Sequence, residues 1–221
     1  SKKKKYKDYF NSNVQSLKKL ASFAKKTKAK LLINLSTITI YGDIKKNILK
    51  ENYKPKNQSI LGRTKFLSEK VLNGNQVNFI NIRLPGVLCK SSQNDGSRPW
   101  INSIFHKMNN NKDIIVYNSK SKFNNVIDTT EIVHFIKFLI KKNFIIKDTF
   151  NFSGSNPINL MDIIKYARIK LNSKSKIINI NKKNKKSFTI SVDKLNKKLN
   201  YQTRPVKKII DSYLKLLKNN A

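Results

Sequence analysis

The stretch QSILGRTKFLSE, residues 58–69, places a lysine where a helix can use it for chemistry. A polar lead-in, a glycine and a threonine precede the apolar residues, which is typical of the start of a helix. In a helix Lys65 shares a face with residue 61, because side chains four positions apart lie one above the other. An ammonium group there lowers the pKa of a titratable neighbour and activates it for proton transfer. Residue 61 is a leucine, which has no proton to give or take.

Alternating helices and apolar strands surround this stretch. Residues 11–28 have the periodicity of an amphipathic helix, and the nearly continuous apolar run at 29–36 is typical of a parallel strand buried on both faces. Further helices are predicted at 60–73, 100–110, 129–142, 159–171, 191–199 and 205–218, and further strands at 77–83, 113–118, 148–154 and 176–180. The polar segments 43–58 and 87–98 are predicted as irregular loops. This alternation predicts an α/β fold with a parallel sheet.

The charge of the chain is less informative than its size suggests. The 221 residues carry 47 basic and 12 acidic side chains, a net charge of +35, which taken alone favours nucleic acid or an anionic membrane as partner. Only 5 of the 47 basic residues are arginine, whereas asparagine occurs 30 times. Lysine and asparagine both have AT-rich codons, so genome composition accounts for this excess. We therefore interpret the lysines as solvated faces.

Several classes of protein are disfavoured by what the sequence lacks. Cys89 is the single cysteine, so neither a disulfide framework nor a cysteine metal site is expected, which fits a reducing cytoplasm. His106 and His134 have no neighbouring ligands that indicate a metal. The basic stretch at the beginning of the sequence is not followed by the apolar run of a signal peptide, and no apolar run has membrane-spanning length.

The order of the motifs resembles a known family. In sequence come NVQSL, LLINLST, IYG, GRTKFLSE, INIRLPGV, FNNVIDTTEIVHFI and TFNFSGSNPINLMDIIKYA. This series is similar to the extended short-chain dehydrogenase/reductase superfamily, in its NAD-dependent epimerase/dehydratase branch. The resemblance implies the C-terminal part of a Rossmann-type parallel-sheet domain at 1–86 and a small α/β substrate-binding lobe mainly at 87–221, with segments that return to the Rossmann sheet. It also implies NAD or NADP as cofactor and a nucleotide sugar as substrate.

The resemblance also assigns catalytic roles. Thr37, four residues before Tyr41, stands where the family has the serine or threonine that hydrogen-bonds the reacting oxygen; the alternative is a threonine that merely ends a strand. Lys65 stands at the family lysine that binds the nicotinamide ribose and activates a tyrosine. Leu61 occupies the position of that tyrosine, so the usual general acid/base is missing. Tyr53, before the helix, is a candidate substitute, although its spacing does not require that role.

Further residues are matched to ligand contacts. The resemblance assigns cofactor contacts to Ser36, Arg83, Leu84 and Pro85, and substrate contacts to Asn13, Arg98 and Trp100. For Asn13, a helix N-terminal cap is about equally well supported. For Arg98, a surface arginine beside a loop-anchoring Trp100 is the somewhat better supported alternative. Glu131 and Ile132 match an acidic–apolar pair that starts a late helix, and Glu131 is predicted to cap it.

One departure from the family is larger than Leu61. The Gly-rich dinucleotide loop is nowhere in this chain, which has 6 scattered glycines. The helix at 11–28 resembles the fourth helix of the family, so we expect either a fragment whose upstream sequence supplies the loop or a truncated product. Three hypotheses remain: an enzyme, a non-catalytic relative that binds the same ligands, and, less well supported, a basic nucleic-acid-binding protein. A homodimer through the helices at 11–28 and 60–73 is also expected.

Overall fold

The computed structural model describes residues 5–89, 100–181 and 187–218. Within these ranges the α-helices are α1 Tyr6–Phe10, α2 Ser16–Lys26, α3 Ile60–Asn73, α4 Trp100–Asn109, α5 Thr129–Lys142, α6 Leu160–Lys170, α7 Asp193–Leu199 and α8 Val206–Lys218. A π-helical turn, Asn11–Gln15, joins α1 to α2, and a 3₁₀ turn, Ile38–Tyr41, follows the first strand.

The strands are short outside the central sheet. They are β1 Leu32–Thr37, β2 Ile48–Leu49, β3 Phe79–Leu84, β4 Gly86–Leu88, β5 Ile114–Tyr117, β6 Lys122–Phe123, β7 Val126–Asp128, β8 Lys147–Asn151, β9 Ile158–Asn159, β10 Ile177–Ile180 and β11 Thr189–Ile190. The longer predicted elements are therefore present, and the mixed α/β class is confirmed. The segment 43–58, predicted as a loop, contains β2, and the predicted loop 87–98 begins within β4.

The chain forms two compact units. Of the described residues, the first unit contains those in Ser1–Ile44, Lys50–Leu84 and Phe135–Phe152. Its sheet has the order β1-β3-β8, and all three strands are parallel. In the register, Asn34, Asn81 and Thr149 lie side by side across the sheet and form a hydrogen-bonded row, Asn34 Nδ2 to Asn81 Oδ1 at 2.8 Å and Asn81 Nδ2 to Thr149 Oγ1 at 3.0 Å.

The core of this unit lies between α2, α3 and the sheet. Leu17, Ala21 and Ala24 of α2 cluster with apolar residues of β1, α3 and β3. The helical segment predicted at 11–28 begins earlier, at Tyr6, because the Lys5 N–H donates to Asp8 Oδ2 at 2.8 Å and starts α1. Helix α1 then continues through the π-helical turn into α2. The expectation that β1 is buried on both faces was wrong for Leu35, which is 41% exposed.

The second unit contains the described residues of Lys45–Leu49, Pro85–His134 and Ser153–Ala221. Four strand pairs occur in it: β5 with β10, β4 with β7 and β2 with β11 are parallel, and β6 with β9 is antiparallel. The amphipathic helix α8 buries Val206, Ile209, Ile210, Tyr213 and Leu214. These side chains form part of an apolar core with residues of α4 and α6.

The predicted capping role of Glu131 was wrong. The cap of α5 comes from Asp128, whose Oδ1 accepts a hydrogen bond from the Glu131 N–H at 2.8 Å. The Glu131 carboxylate instead accepts from Arg204 Nε at 2.6 Å and from the Tyr201 hydroxyl at 2.9 Å. Glu131 is 1% exposed, and a buried carboxylate is costly unless a charged group pairs with it. The ion pair with Arg204 therefore fixes the orientation of this side chain, and not the N-terminus of α5.

Asparagine makes most of the left-handed turns among the described residues. Eight residues other than glycine have φ between 49° and 54°, and all but Lys28 are asparagine. Several of them, such as Asn143 and Asn200, directly follow a helix. Asparagine tolerates this conformation better than other residues with a side chain, so it takes the place that glycine usually holds at a helix C-terminus.

Candidate active site

Helix α3 carries Leu61 and Lys65 in its first two turns. Ser59 caps the helix, since its Oγ accepts a hydrogen bond from the Gly62 N–H at 3.2 Å. Leu61 is 37% exposed, and the buried residues of this part of the helix are Gly62 and Thr64 instead. The position that would carry an acid–base side chain therefore faces away from the core of the unit.

The Lys65 ammonium lies at the outer edge of strand β1. Its Nζ donates a hydrogen bond to the Leu35 carbonyl at 2.9 Å. The Leu32 N–H points to β3, where it bonds the Asn78 carbonyl at 2.9 Å. Since backbone groups of successive residues point to opposite edges of a strand, the Leu35 carbonyl points away from β3. Burial lowers the pKa of Lys65, and the charge of Glu69 opposes this shift.

Thr37 is the last residue of β1 and lies beside Leu84, its partner in the register of β3. The Thr37 Oγ1 accepts hydrogen bonds from the Thr39 N–H at 3.2 Å and from Thr39 Oγ1 at 3.3 Å, and so caps the 3₁₀ turn. Two of the predicted site residues, Thr37 and Leu84, thus lie at the carboxyl ends of β1 and β3, and Pro85 follows Leu84 directly in the chain. In open α/β sheets this is the edge at which ligands bind.

The side chains of Ser36 and Arg83 belong to a buried polar network. The Ser36 hydroxyl donates to Glu69 Oε1 at 2.6 Å, and Arg83 pairs with the same carboxylate through Nη2 to Oε2 at 2.7 Å. The opposite side of the guanidinium donates from Nη1 to the Tyr41 hydroxyl at 2.7 Å and to the Glu51 carbonyl at 3.0 Å. These contacts tie α3, β1 and β3 together directly beneath the candidate site.

Two tyrosines near Thr37 are already engaged. Tyr41 is fully buried, and its hydroxyl donates to Asn151 Oδ1 at 2.7 Å. Burial raises the pKa of Tyr41 to about 12, against the opposing effect of Arg83. The Tyr53 hydroxyl donates to the Asp43 carbonyl at 3.1 Å, and its ring packs edge-on against Tyr41. Neither hydroxyl is positioned as a free proton carrier, although Tyr53 is the less buried of the two.

Asn13 contacts α3 and does not cap a helix. It lies within the π-helical turn, and its Nδ2 donates to Thr64 Oγ1 at 3.0 Å. The alternative of an N-terminal cap was wrong, because the helix continues on both sides of Asn13. Short π-helical turns are frequent at functional sites, and this one aims the Asn13 carboxamide at the residue before Lys65.

Gly62 sets the distance between α3 and the 3₁₀ turn. A Cβ on Gly62 would lie 2.3 Å from the Thr39 carbonyl oxygen, closer than any van der Waals contact allows. The helix therefore packs directly against the backbone that follows Thr37. This contact is a second device, besides the Lys65 hydrogen bond, that fixes α3 relative to the end of β1.

We expect Gly62→Ala to destabilise the protein by about 1–3 kcal/mol, because the added methyl group forces the backbone of α3 away from the turn. The measurement is the free energy of unfolding from chemical denaturation. Gly74→Ala is the matched control, since a Cβ there has no neighbour closer than 3.9 Å. Equal changes in the free energy of unfolding for the two substitutions would show that the close approach at Gly62 does not contribute to stability.

A groove in the second unit, called the aromatic groove here, has four aromatic side chains among the aliphatic and polar residues that line it. It has a volume of about 630 Å³, and Trp100, Tyr117, Phe123 and Phe188 are among its walls. Trp100 is 48% exposed and packs edge-on against Phe123 at a centroid distance of 5.4 Å. Lys107 and Lys122 also line it. Of the predicted substrate residues, Trp100 is in this groove, while Arg98 lies outside the described residues.

The predicted site residues thus fall in two places. The first unit contains Asn13, Ser36, Thr37, Lys65, Arg83 and Leu84, and Trp100 belongs to the groove of the second. Sequence reasoning missed Tyr117, Phe123 and Phe188, because alternation in a strand does not tell which face borders a cavity. It also missed the pairing of Glu69 with Arg83, because that pair joins a helix to a strand and has no local signal in the sequence.

No helix among the described residues is both long and apolar enough to cross a membrane. In the same residues, histidine, cysteine, aspartate and glutamate side chains form no group that could hold a metal ion.

Solved structures share this fold. UDP-N-acetylglucosamine 4-epimerase from Methanobrevibacter ruminantium M1, in complex with UDP-N-acetylmuramic acid, superposes with a TM-score of 0.79 at 14% identity, over 96% of this chain and 70% of that one. UDP-glucuronic acid 4-epimerase from Bacillus cereus, in complex with NAD, gives 0.77 at 18% identity over 98% and 72%. RMD from Pseudomonas aeruginosa, complexed with NADPH, gives 0.73 at 12% identity over 96% and 75%.

These likenesses define the class of fold, a Rossmann-like α/β protein with a parallel sheet. The sequence is more specific, because residues 1–152 match the NAD dependent epimerase/dehydratase family. The chain belongs to that family, which confirms the resemblance of its motifs. No sequence among curated proteins matches the chain significantly.

Proposed function

We propose that this chain is part of an NAD(P)-dependent enzyme that modifies nucleotide sugars as an epimerase, dehydratase or reductase, an isomerase or oxidoreductase of carbohydrate biosynthesis. The observation that carries the proposal is the hydrogen bond from Lys65 Nζ to the Leu35 carbonyl at 2.9 Å. Leu35 lies two residues before Thr37, which is the last residue of β1. Cationic and hydroxyl side chains at this edge of a parallel sheet suit a ligand that carries ribose and sugar oxygens.

The residues of this edge fit part of a dinucleotide. Lys65 has two further N–H groups beyond the bond to Leu35, and in this proposal it donates one to the nicotinamide ribose. Leu84 and Pro85 offer backbone at the end of β3. The side chains of Ser36 and Arg83 are hydrogen-bonded to Glu69. In this proposal they act on the cofactor indirectly, by fixing the ends of β1 and β3. Bound NAD(P) supplies hydride transfer. The 221 residues hold no Gly-rich loop for the pyrophosphate.

The proton chemistry rests on Thr37 and on position 61. The Thr37 oxygen accepts two hydrogen bonds, which leaves its own proton for the reacting oxygen of a sugar. Leu61 cannot shuttle a proton, so turnover is expected to be low. The second candidate is therefore a non-catalytic relative that binds the same ligands, and Leu61 is the observation that favours it.

The aromatic groove is proposed to hold the nucleotide part of the substrate. Its aromatic walls suit the flat face of a base, and stacking on such side chains contributes about 1–3 kcal/mol per base. Lys107 and Lys122 line the same groove and offer positive charge to the phosphates. The relative from Methanobrevibacter ruminantium is in complex with a UDP-sugar, which supports a uridine nucleotide as the first ligand to test.

The proposal is tested by titrating the protein with UDP in a calorimeter. We expect binding, and we expect Trp100→Ala to weaken it by about tenfold, the effect of losing one stacking partner. Ile169→Ala is the control, because Ile169 is 78% exposed and is not among the residues that line the groove. Absence of UDP binding, or equal affinities in the three proteins, would contradict the assignment of the groove.

We further propose a homodimer through α2 and α3, in a reducing cytoplasm. Leu20 and Phe23 of α2 are 49% and 62% exposed, which supports an apolar contact with a second copy. A monomer mass in light scattering at high concentration would contradict the dimer.

A sequence-specific nucleic-acid partner is not proposed, since the charge alone supports it. Sequence-selective DNA binding that persists at physiological salt would overturn this view.

A further inference from the structure

Two hydrogen bonds attach helix α3 to consecutive residues of strand β1. Lys65 Nζ bonds the Leu35 carbonyl at 2.9 Å, and Glu69 Oε1 accepts from the Ser36 hydroxyl at 2.6 Å. Lys65 and Glu69 are four residues apart, so they lie on one face of the helix. The next residue of the strand is Thr37. The helix therefore holds β1 immediately before the hydroxyl that the site uses.

Glu69 is held from its other side by Arg83. The guanidinium donates from Nε to Oε1 at 3.1 Å and from Nη2 to Oε2 at 2.7 Å. Glu69 is 3% exposed and Arg83 is 6% exposed. Because Arg83 is anchored in turn on the Tyr41 hydroxyl, the carboxylate cannot turn away from Ser36 without breaking a buried ion pair.

The charge of Glu69 also acts on Lys65. Burial disfavours the ammonium form of a lysine, and a carboxylate one helical turn away favours it. The pKa of Lys65 is lowered by burial and raised again in part by Glu69. Other charged or titratable groups at this end of the sheet are Arg83 on β3, Tyr41 in the 3₁₀ turn and Glu51, whose Oε1 accepts from the Asn151 N–H at 2.9 Å.

We propose that Glu69 is a positioning residue for the candidate site, which fixes the end of β1 through Ser36 and places a negative charge one helical turn from Lys65. Lys65 and Thr37 then present one fixed arrangement of charge and hydroxyl to a ligand. The inference rests on the proposed function only in treating Lys65 and Thr37 as site residues. Its two parts, the charge and the attachment, are tested separately.

The charge is tested by trace labelling of lysine amines with acetic anhydride over a series of pH values, with Lys65 followed by mass spectrometry. We expect Glu69→Gln to shift the titration of Lys65 to lower pH and to raise its labelling near neutral pH by at least about threefold. Glu69→Asp keeps the charge and should restore most of the wild-type titration. Glu131→Gln, in the second unit, is the control for loss of a buried carboxylate. An unchanged Lys65 titration in folded Glu69→Gln overturns this part.

The attachment is tested with Ser36→Ala, which leaves the ion pair of Glu69 and Arg83 intact and so keeps the fold. We expect amide hydrogen exchange at Thr39 and Gly42 to become at least about tenfold faster, because a hydrogen bond to a carboxylate is lost at the end of β1. The Thr39 N–H donates to Thr37 Oγ1 and the Gly42 N–H to the Thr39 carbonyl, so both amides report on the turn that follows β1. Amides of β10 serve as internal controls. Unchanged exchange at Thr39 and Gly42 overturns the positioning role even if Glu69→Gln does not fold.

Neither measurement requires a bound ligand or turnover. If the protein binds neither UDP nor a dinucleotide while the Lys65 titration and the exchange rates change as expected, the proposed function fails and the positioning role of Glu69 stands. If ligands bind and both readouts stay constant, the proposed function stands and Glu69 is a purely structural residue.

Discussion

Leu61→Tyr is expected to raise turnover of a nucleotide sugar by about 10²–10⁴-fold, the usual contribution of one general acid or base. Helix α3 presents residue 61 one turn before Lys65, and the leucine there is 37% exposed, so a larger aromatic side chain can be accommodated. The ammonium of Lys65 would lower the pKa of the new phenol and make it a competent proton carrier. The measurement is turnover with a panel of nucleotide sugars.

Two variants make this result specific. Ile60→Tyr introduces the same side chain at the neighbouring position, which is 46% exposed but five residues from Lys65, and it should give no gain. Lys65→Ala added to Leu61→Tyr should remove the gain. Alone, Lys65→Ala should weaken cofactor binding by about 10–100-fold, the effect of losing a charged hydrogen bond.

Two outcomes would contradict the assignment of this site. Unchanged cofactor affinity in Lys65→Ala would make Lys65 an ordinary surface lysine. Rapid turnover of the unmodified protein would mean that another residue supplies the proton. Tyr53 is then the first residue to replace, even though its hydroxyl bonds the Asp43 carbonyl.

Arg83→Met is expected to cost about 3–5 kcal/mol of stability, because it leaves the buried Glu69 carboxylate without its ion-pair partner. Replacing both partners, as in Arg83→Met combined with Glu69→Leu, should recover most of this loss, since an apolar pair carries no buried charge. The measurement is the free energy of unfolding by denaturant titration.

Lys215→Met is the matched control for a surface ion pair. Lys215 Nζ lies 3.1 Å from Asp211 Oδ2, but its side chain is 71% exposed, so the loss should be below about 1 kcal/mol. If Arg83→Met costs no more than Lys215→Met, the network around Glu69 does not stabilise the first unit. If the double variant has a lower free energy of unfolding than Arg83→Met alone, Glu69 stabilises the protein through contacts other than its ion pair with Arg83.

The elements that the sequence predicted well are those with strong local signals. Helix α3 has a cap, a glycine and an apolar stripe within fourteen residues, and β3 is an apolar run between polar segments. Strands of two residues, such as β2 and β6, have no period to detect, since their pairing depends on distant partners. The predicted loop at 43–58 contains the strand β2 for this reason.

The candidate site divides in the same way. The relation of Lys65 to residue 61 is a property of one helix and could be predicted from spacing. The hydrogen bond from Lys65 to the Leu35 carbonyl depends on how α3 packs on β1, and the sequence has no local signal for that packing. The pairing of Arg83 with Glu69 joins a strand to a helix through the core, and neither residue differs in sequence from a surface charge. Burial created that interaction, so composition and periodicity could not predict it.

The left-handed asparagines have a consequence for what a glycine means in this chain. Asparagine has a side chain, so it lowers the conformational entropy of the unfolded chain relative to glycine and thereby favours the folded state. It also tolerates positive φ, so the two residues are nearly interchangeable at such turns. At an ordinary turn glycine can therefore be replaced by asparagine when codon usage favours it. Gly42 and Gly62 cannot be replaced in this way, because an added Cβ would lie 1.9 Å and 2.3 Å from backbone oxygens. In so glycine-poor a chain, these two glycines mark where the backbone itself is packed, and both flank the candidate site.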